Sequence, residues 1–108
     1  MDWAEQLHCA ITVCDNDGTV IYMNERSRQT FNKGGETMVG KNLFPCHKQR
    51  SQDMIRYMME NDTTNCYTIT KNGKRKLIFQ SPWKVDGKVK GMVEISIILP
   101  DDMPHYDR

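Results

Sequence analysis

Hydrophobic positions in this chain follow a two-residue period in some stretches and a helical period in others, and the switches between them divide the chain into elements. Trp3 and Leu7 lie four apart within residues 2–8, which predicts a short amphipathic N-terminal helix. Ala10-Ile11-Thr12-Val13-Cys14 is β-prone and runs into Asp15-Asn16-Asp17-Gly18, where Asn and Gly tolerate positive φ. Thr19 to Met23 returns as a second strand, completing a hairpin. Asn24 is placed to cap a helix from Glu25 to Phe31, its side chain accepting from the open N–H groups, and Lys33-Gly34-Gly35 ends that helix. From Glu36 to Phe44 the pattern is irregular, with Met38, Val39, Leu43 and Phe44 available to cover a core; Pro45 bars a helix from running through.

The strongest helical pattern runs from His47 to Asn61. His47, Ser51, Met54 and Met58 share one narrow stripe with Ile55 at its edge, while Lys48, Gln49, Gln52, Asp53 and Arg56 fall mostly opposite. Three strands follow, separated by Asn72-Gly73 and Asp86-Gly87 turns. In the middle one Leu77, Phe79, Ser81 and Trp83 share a face. In the last, Val93, Ile95, Ile97 and Leu99 form the core-facing row, and Met92, Glu94 and Ser96 point away. A hairpin, then helices, then a three-stranded meander predicts an α+β domain with helices on one side of an antiparallel sheet.

Composition narrows the function classes. A length of 108 residues fits one domain, read as an N-terminal helix at 1–8, a core at 9–99 and a polar C-terminal tail at 100–108. The opening Met and polar tail fit a free-standing domain. Fifteen basic and fourteen acidic residues leave a net charge of +1, and the densest basic run, Lys71 to Lys76, reads as a hairpin tip. Nucleic acid is therefore not an expected partner. No apolar stretch approaches the roughly 20 residues that span a bilayer, and Asp2 and Glu5 stand where a signal peptide would be basic. Cys9, Cys14, Cys46 and Cys66 lack CxxC spacing, so they read as reduced thiols in a cytoplasmic protein. Eight Met in a chain of mean hydropathy −0.69 point to a core in a few segments with flexible filling.

Candidate chemistry centres on Cys46-His47. A histidine in the first turn of a helix is favoured as neutral imidazole, the form that binds iron. The alternative is a histidine that donates to a backbone carbonyl and locks the turn after Pro45. Cys46 near a helix N-terminus would gain thiolate character, or would be a plain half-buried thiol. Met54, Met58, Phe44, Phe79 and Ile95 line a ligand pocket in one reading and are core packing in the other. No nucleophile elbow, phosphate loop or kinase signature is present, so no enzymatic activity is expected.

Three segments together carry a resemblance: "ITVCDNDGTVIYMNERSRQTF", "MVGKNLF" and "KVDGKVKGMVEISIIL". Over roughly residues 8–100 the chain resembles the PAS domains, with Asp15, Gly18, Asn24, Gly40 and Gly91 at the places of the family's turn, cap and glycine positions. "FPCHKQRS" is similar to a Cys-His-Pro-x-x-Ser signature of PAS segments that accompany hemerythrin-like domains. Cys46, His47 and Ser51 match it, while Lys48 replaces the usual proline.

The PAS resemblance implies a five-stranded sheet of order 2-1-5-4-3 and a sensory, signal-transducing module. Its pocket, between sheet and long helix, would hold a small ligand or cofactor contacted by His47, Cys46, Ser51, Met54, Met58, Phe44, Phe79 and Ile95. The cofactor is not specified. Haem is one option, with His47 as iron ligand, although haem-binding relatives place that histidine nearer Arg50. Light-sensing flavin chemistry is not expected, because Leu43 stands where the adduct-forming cysteine belongs. Implied partners are a small molecule, a signalling protein in trans and a second copy docked through Trp3, Leu7 and the outer sheet face. The competing reading is an interaction and dimerisation module with a filled core and no ligand.

Overall fold

The computed structural model describes residues 2–32 and 34–108. Its elements are β1 (Ala10–Asp15), β2 (Val20–Met23), α1 (Glu25–Phe31), a 3-10 turn (Phe44–Cys46), α2 (Gln49–Asn61), β3 (Asn65–Lys71), β4 (Lys74–Val85) and β5 (Lys88–Ile98). The five strands form one sheet of order β2-β1-β5-β4-β3, antiparallel throughout. This is the predicted α+β architecture.

Local chemistry explains each joint. In the β1–β2 turn the Asp15 carboxylate accepts from the N–H of Asp17 and Thr19, and Gly18 takes φ +85°. A side chain at Gly18 would stand 2.7 Å from the Phe44 ring, so glycine serves both the turn and the packing of the later segment. Asn72-Gly73 and Asp86-Gly87 both adopt paired positive φ, the type I′ pattern that matches strand twist.

Asn24 caps α1 by accepting from the Ser27 N–H, and does more than the sequence suggested. Fully buried, it also accepts from Ile11 N–H and donates to the carbonyls of Ala4 and Cys9. One side chain therefore ties β1, α1 and the N-terminal segment together. That segment is not the predicted helix: residues 3–6 form turns, held by Glu5, which accepts from the Tyr22 hydroxyl and pairs with Arg28. With Trp3 and Leu7 as its only large apolar residues, it lacks the face that would stabilise so short a helix. The predicted stop of α1 at Lys33 lies outside the described residues; α1 ends at Phe31 with Asn32 as its cap.

The irregular stretch before α2 hugs the edge of β2. Gly40 N–H donates to Val20 O, Val20 N–H to Lys41 O, and Leu43 N–H to Gly18 O. These bonds deliver Leu43 and Phe44 into a core of Cys14, Val20, Met23, Ile55, Met58, Met59 and Met92, whereas Val39 stays exposed. Burial pushes the Cys14 thiol up to about 11.

The sheet is oriented opposite to the sequence reading. Met92 pairs with Cys14, and both lie in the core beneath the helices. Met92, Glu94 and Ser96 thus face α2, and Val93, Ile95 and Ile97 occupy the outer face, in register with Ser81, Phe79 and Leu77 of β4. Alternation separates the two sets of a strand but does not say which set lies under a helix. The connection fixes that: β1 and β2 must put Cys14, Val20 and Met23 where α1 and α2 return over them.

On the outer face the Trp83 indole N–H donates to Cys14 O at 2.9 Å. A Cβ on Gly91 would meet that carbonyl oxygen at 1.9 Å and the indole nitrogen at 2.7 Å, so this position requires glycine.

Candidate functional site

The helix-facing side of the sheet carries a polar row. Thr12, Glu94, Gln80 and Asn65 stand side by side across β1, β5, β4 and β3. Asn65 Nδ2 donates to Gln80 Oε1 at 2.9 Å, and Gln80 Nε2 donates to Glu94 Oε1 at 3.0 Å. Thr12 shares a hydrogen bond with the buried Ser27 hydroxyl. Because an ionised carboxylate only accepts, Glu94 sets the direction of both amides. Gln80, 2 % exposed, is left with one free N–H, and the Asn65 carbonyl is left as an acceptor at the row's end.

Between this row and α2 lies a cavity of about 210 Å³, lined by His47, Arg50, Ser51, Met54, Ile55, Tyr67 and Gln80. A wider groove of about 530 Å³ adjoins it, sharing Arg50 and Met54 and adding Asp53, Tyr57 and Asn65. Burial, and secondarily the Glu94 charge, raise the Tyr67 hydroxyl above its ordinary value, so it remains a proton donor at neutral pH. Arg50 forms no ion pair among the described residues.

The predicted site residues separate into four groups. His47, Ser51 and Met54 line the cavity together. Met58 and Phe44 are core, with the Arg56 guanidinium 4.4 Å from the centre of the Phe44 ring. Phe79 and Ile95 face each other in register on the outer side of the sheet, away from the cavity. Cys46 is exposed at the end of the 3-10 turn and does not begin α2.

His47 also precedes α2, in extended backbone at the end of the 3-10 turn. Its Nδ1 lies 2.8 Å from Leu43 O, its N–H donates to Phe44 O, and its own carbonyl accepts from Gln52 Nε2. A carbonyl only accepts, so Nδ1 carries the proton and Nε2 is the free nitrogen. This is the carbonyl contact of the structural reading, and it leaves Nε2 available to a ligand as well. The cavity alone falls below the roughly 300–1,000 Å³ of drug-sized ligand sites and does not enclose a porphyrin.

Arg50, Tyr67, Gln80, Glu94 and Asn65 were missed as site residues. For the four strand residues the signal lay in the set of each alternating strand that reads as solvent-facing by default, and Arg50 lies on α2.

A cavity between a β2-β1-β5-β4-β3 antiparallel sheet and the helix that precedes its third strand defines a class of α+β pocket module. The chain belongs to the PAS fold family, whose model matches residues 4–98. No curated protein matches it. Among solved structures it is similar to a sensory box sensor histidine kinase from Vibrio cholerae, with 19% identity, TM-score 0.70, and coverage of 88% of this chain and 85% of that one. The PAS domain of histidine kinase ThkA gives 19% identity and TM-score 0.66, covering 84% and 99%. VqmA bound to DPO gives 19% identity and TM-score 0.74, covering 90% of this chain and 54% of that one, so the chain spans about half of VqmA. These likenesses extend to the fold.

Proposed function

We propose that the chain is a sensory module that binds a small molecule in the cavity between α2 and the β3–β4 face and passes the signal to a partner protein in trans, without chemistry of its own. The observation that carries this reading is the combination of a half-buried polar row, a free N–H on the buried Gln80 and an apolar wall of Met54 and Ile55 around about 210 Å³. Ligand sites are built this way, with apolar walls and a few oriented polar groups. The membership in the PAS family and the likeness to VqmA, which is described bound to DPO, support it. Native mass spectrometry of the purified protein tests it. A co-purified mass released on denaturation and lost in Gln80→Leu is expected; a bare polypeptide that no small molecule stabilises against heat contradicts it.

A second reading rests on the outer face. Leu77, Phe79, Val93, Ile95 and Ile97 form a contiguous apolar patch with no helix over it among the described residues, and Trp3 and Leu7 are exposed. Such patches mark association surfaces, and the self-complementary occupant is a second copy of this chain. Sedimentation of Ile95→Glu against the native chain tests it: a dimer that becomes a monomer supports the reading, and a native monomer at high concentration ends it.

A further inference from the structure

We infer that the ligand is a small organic carboxylate, with its apolar body on Met54 and Ile55 and its carboxylate held by Arg50 with Tyr67. This inference rests on the binding reading above and names the chemistry of the same cavity.

The donors and acceptors around the cavity are unequal. Gln80 presents its one free N–H, because its other N–H is given to Glu94 and its carbonyl already accepts from Asn65. The Tyr67 hydroxyl keeps its proton and has no hydrogen-bond partner among the described residues, so it too presents a donor. Arg50 brings up to five N–H groups in a planar fork and has no carboxylate partner among the described residues. Ser51 serves in either direction. The His47 Nε2 is the acceptor on the wall, since Nδ1 is turned to Leu43 O. Donors outnumber acceptors, and the one full charge that lines the cavity is positive.

Two carboxylates stand near and weigh against an anion. Asp53 lines the wider groove, but its carboxylate accepts from Gln49 Nε2 at 2.8 Å. Glu94 does not line the cavity, and one of its oxygens accepts from Gln80, although its charge reaches Tyr67. A cationic ligand would have to pass Arg50 and would meet Gln80 N–H where it needs an acceptor. A carboxylate meets the fork geometry of a guanidinium, and charge-assisted bonds of this kind are about twice as strong as neutral ones. The apolar wall and small volume select an organic acid over inorganic phosphate, which would leave Met54 and Ile55 unfilled.

The test uses three probes of one shape and different charge: benzoate, benzamide and benzylammonium. Each is titrated into the full chain while backbone amide NMR signals are followed. Benzoate is expected to shift Ser51, Tyr67 and Gln80 selectively and to bind at least about tenfold more tightly than benzylammonium. Arg50→Gln is expected to weaken benzoate about tenfold while leaving benzamide within about twofold. Arg50 is exposed, so this variant keeps the fold. If benzamide or benzylammonium binds more tightly at the same amides, the carboxylate inference falls and the binding reading stands. If none of the three moves the cavity amides, both fall.

Discussion

The two faces of the sheet differ in where their polar groups lie. The side under the helices carries Thr12, Glu94, Gln80 and Asn65, flanked by Cys14 and Met92. The side away from them carries Val13, Leu77, Phe79, Val93, Ile95 and Ile97, with Ile11 buried at its edge. A covered polar row is tolerated because each amide in it has a partner, and no buried side-chain nitrogen or oxygen among the described residues lacks one. An uncovered apolar face is tolerated where something else docks on it. Polarity therefore follows what each face meets, which is a cavity on one side and, on the other, an apolar surface that no helix covers among the described residues.

The contrast is sharpest where a change forces one face into the other's role. The largest effect is expected at Gly91, where the two faces share a backbone constraint. Gly91→Val puts carbon into Cys14 O, at 1.9 Å for the Cβ alone, and should cost about 3 kcal/mol or more, lowering the melting temperature in calorimetry by at least about 12 °C. Asn24→Ala comes next. Four hydrogen bonds on one buried amide are lost, two backbone N–H groups are orphaned, and denaturant titration should show a loss of about 3 kcal/mol.

Two further substitutions separate the faces directly. Gln80→Leu removes the centre of the polar row, leaving Asn65 Nδ2 and Glu94 Oε1 without each other's bridge, and should cost about 1–2 kcal/mol by urea titration while abolishing binding. Phe79→Ser, one residue away but on the other face, should change association in sedimentation and leave binding intact. Equal effects of the two on binding would break the distinction.

The smallest effect is pH-dependent and belongs to the core between the faces. Cys14 is raised from its ordinary 9.0 to about 11 by burial, so the unfolded chain releases its proton first as pH rises. The stability from the neutral thiol is complete below 9 and drains away between 9 and about 11, amounting to about 1 kcal/mol by pH 10. Unfolding of native protein and Cys14→Val at pH 8 and pH 10 should show that decrement only in the former.

The sequence carried the elements and their order well. Asn72-Gly73, Asp86-Gly87 and Asp15 to Gly18 specify turns through φ and local hydrogen bonds, so their signals lie within four residues. The Asn24 cap is local in the same way, but its bonds to Ala4 and Cys9 span 20 and 15 residues and could not be read. The site was partly legible: His47, Ser51 and Met54 were found because they share a stripe near α2. Phe79 and Ile95 were misplaced because a two-residue period is symmetric between faces, and the more apolar set was assumed to be covered. The N-terminal helix failed because two apolar residues four apart outweigh neither the nucleation cost nor the competing bonds of Glu5 to Tyr22 and Arg28.

The central claim is that small molecules enter beneath α2 and not onto the outer face. Intermolecular NOEs from phenol to the methyl groups of the labelled chain test it most directly. The account predicts NOEs to the Met54 and Ile55 methyls, which line the cavity. NOEs confined to Leu77, Ile95 and Ile97 would contradict it and leave association as the sheet's only use.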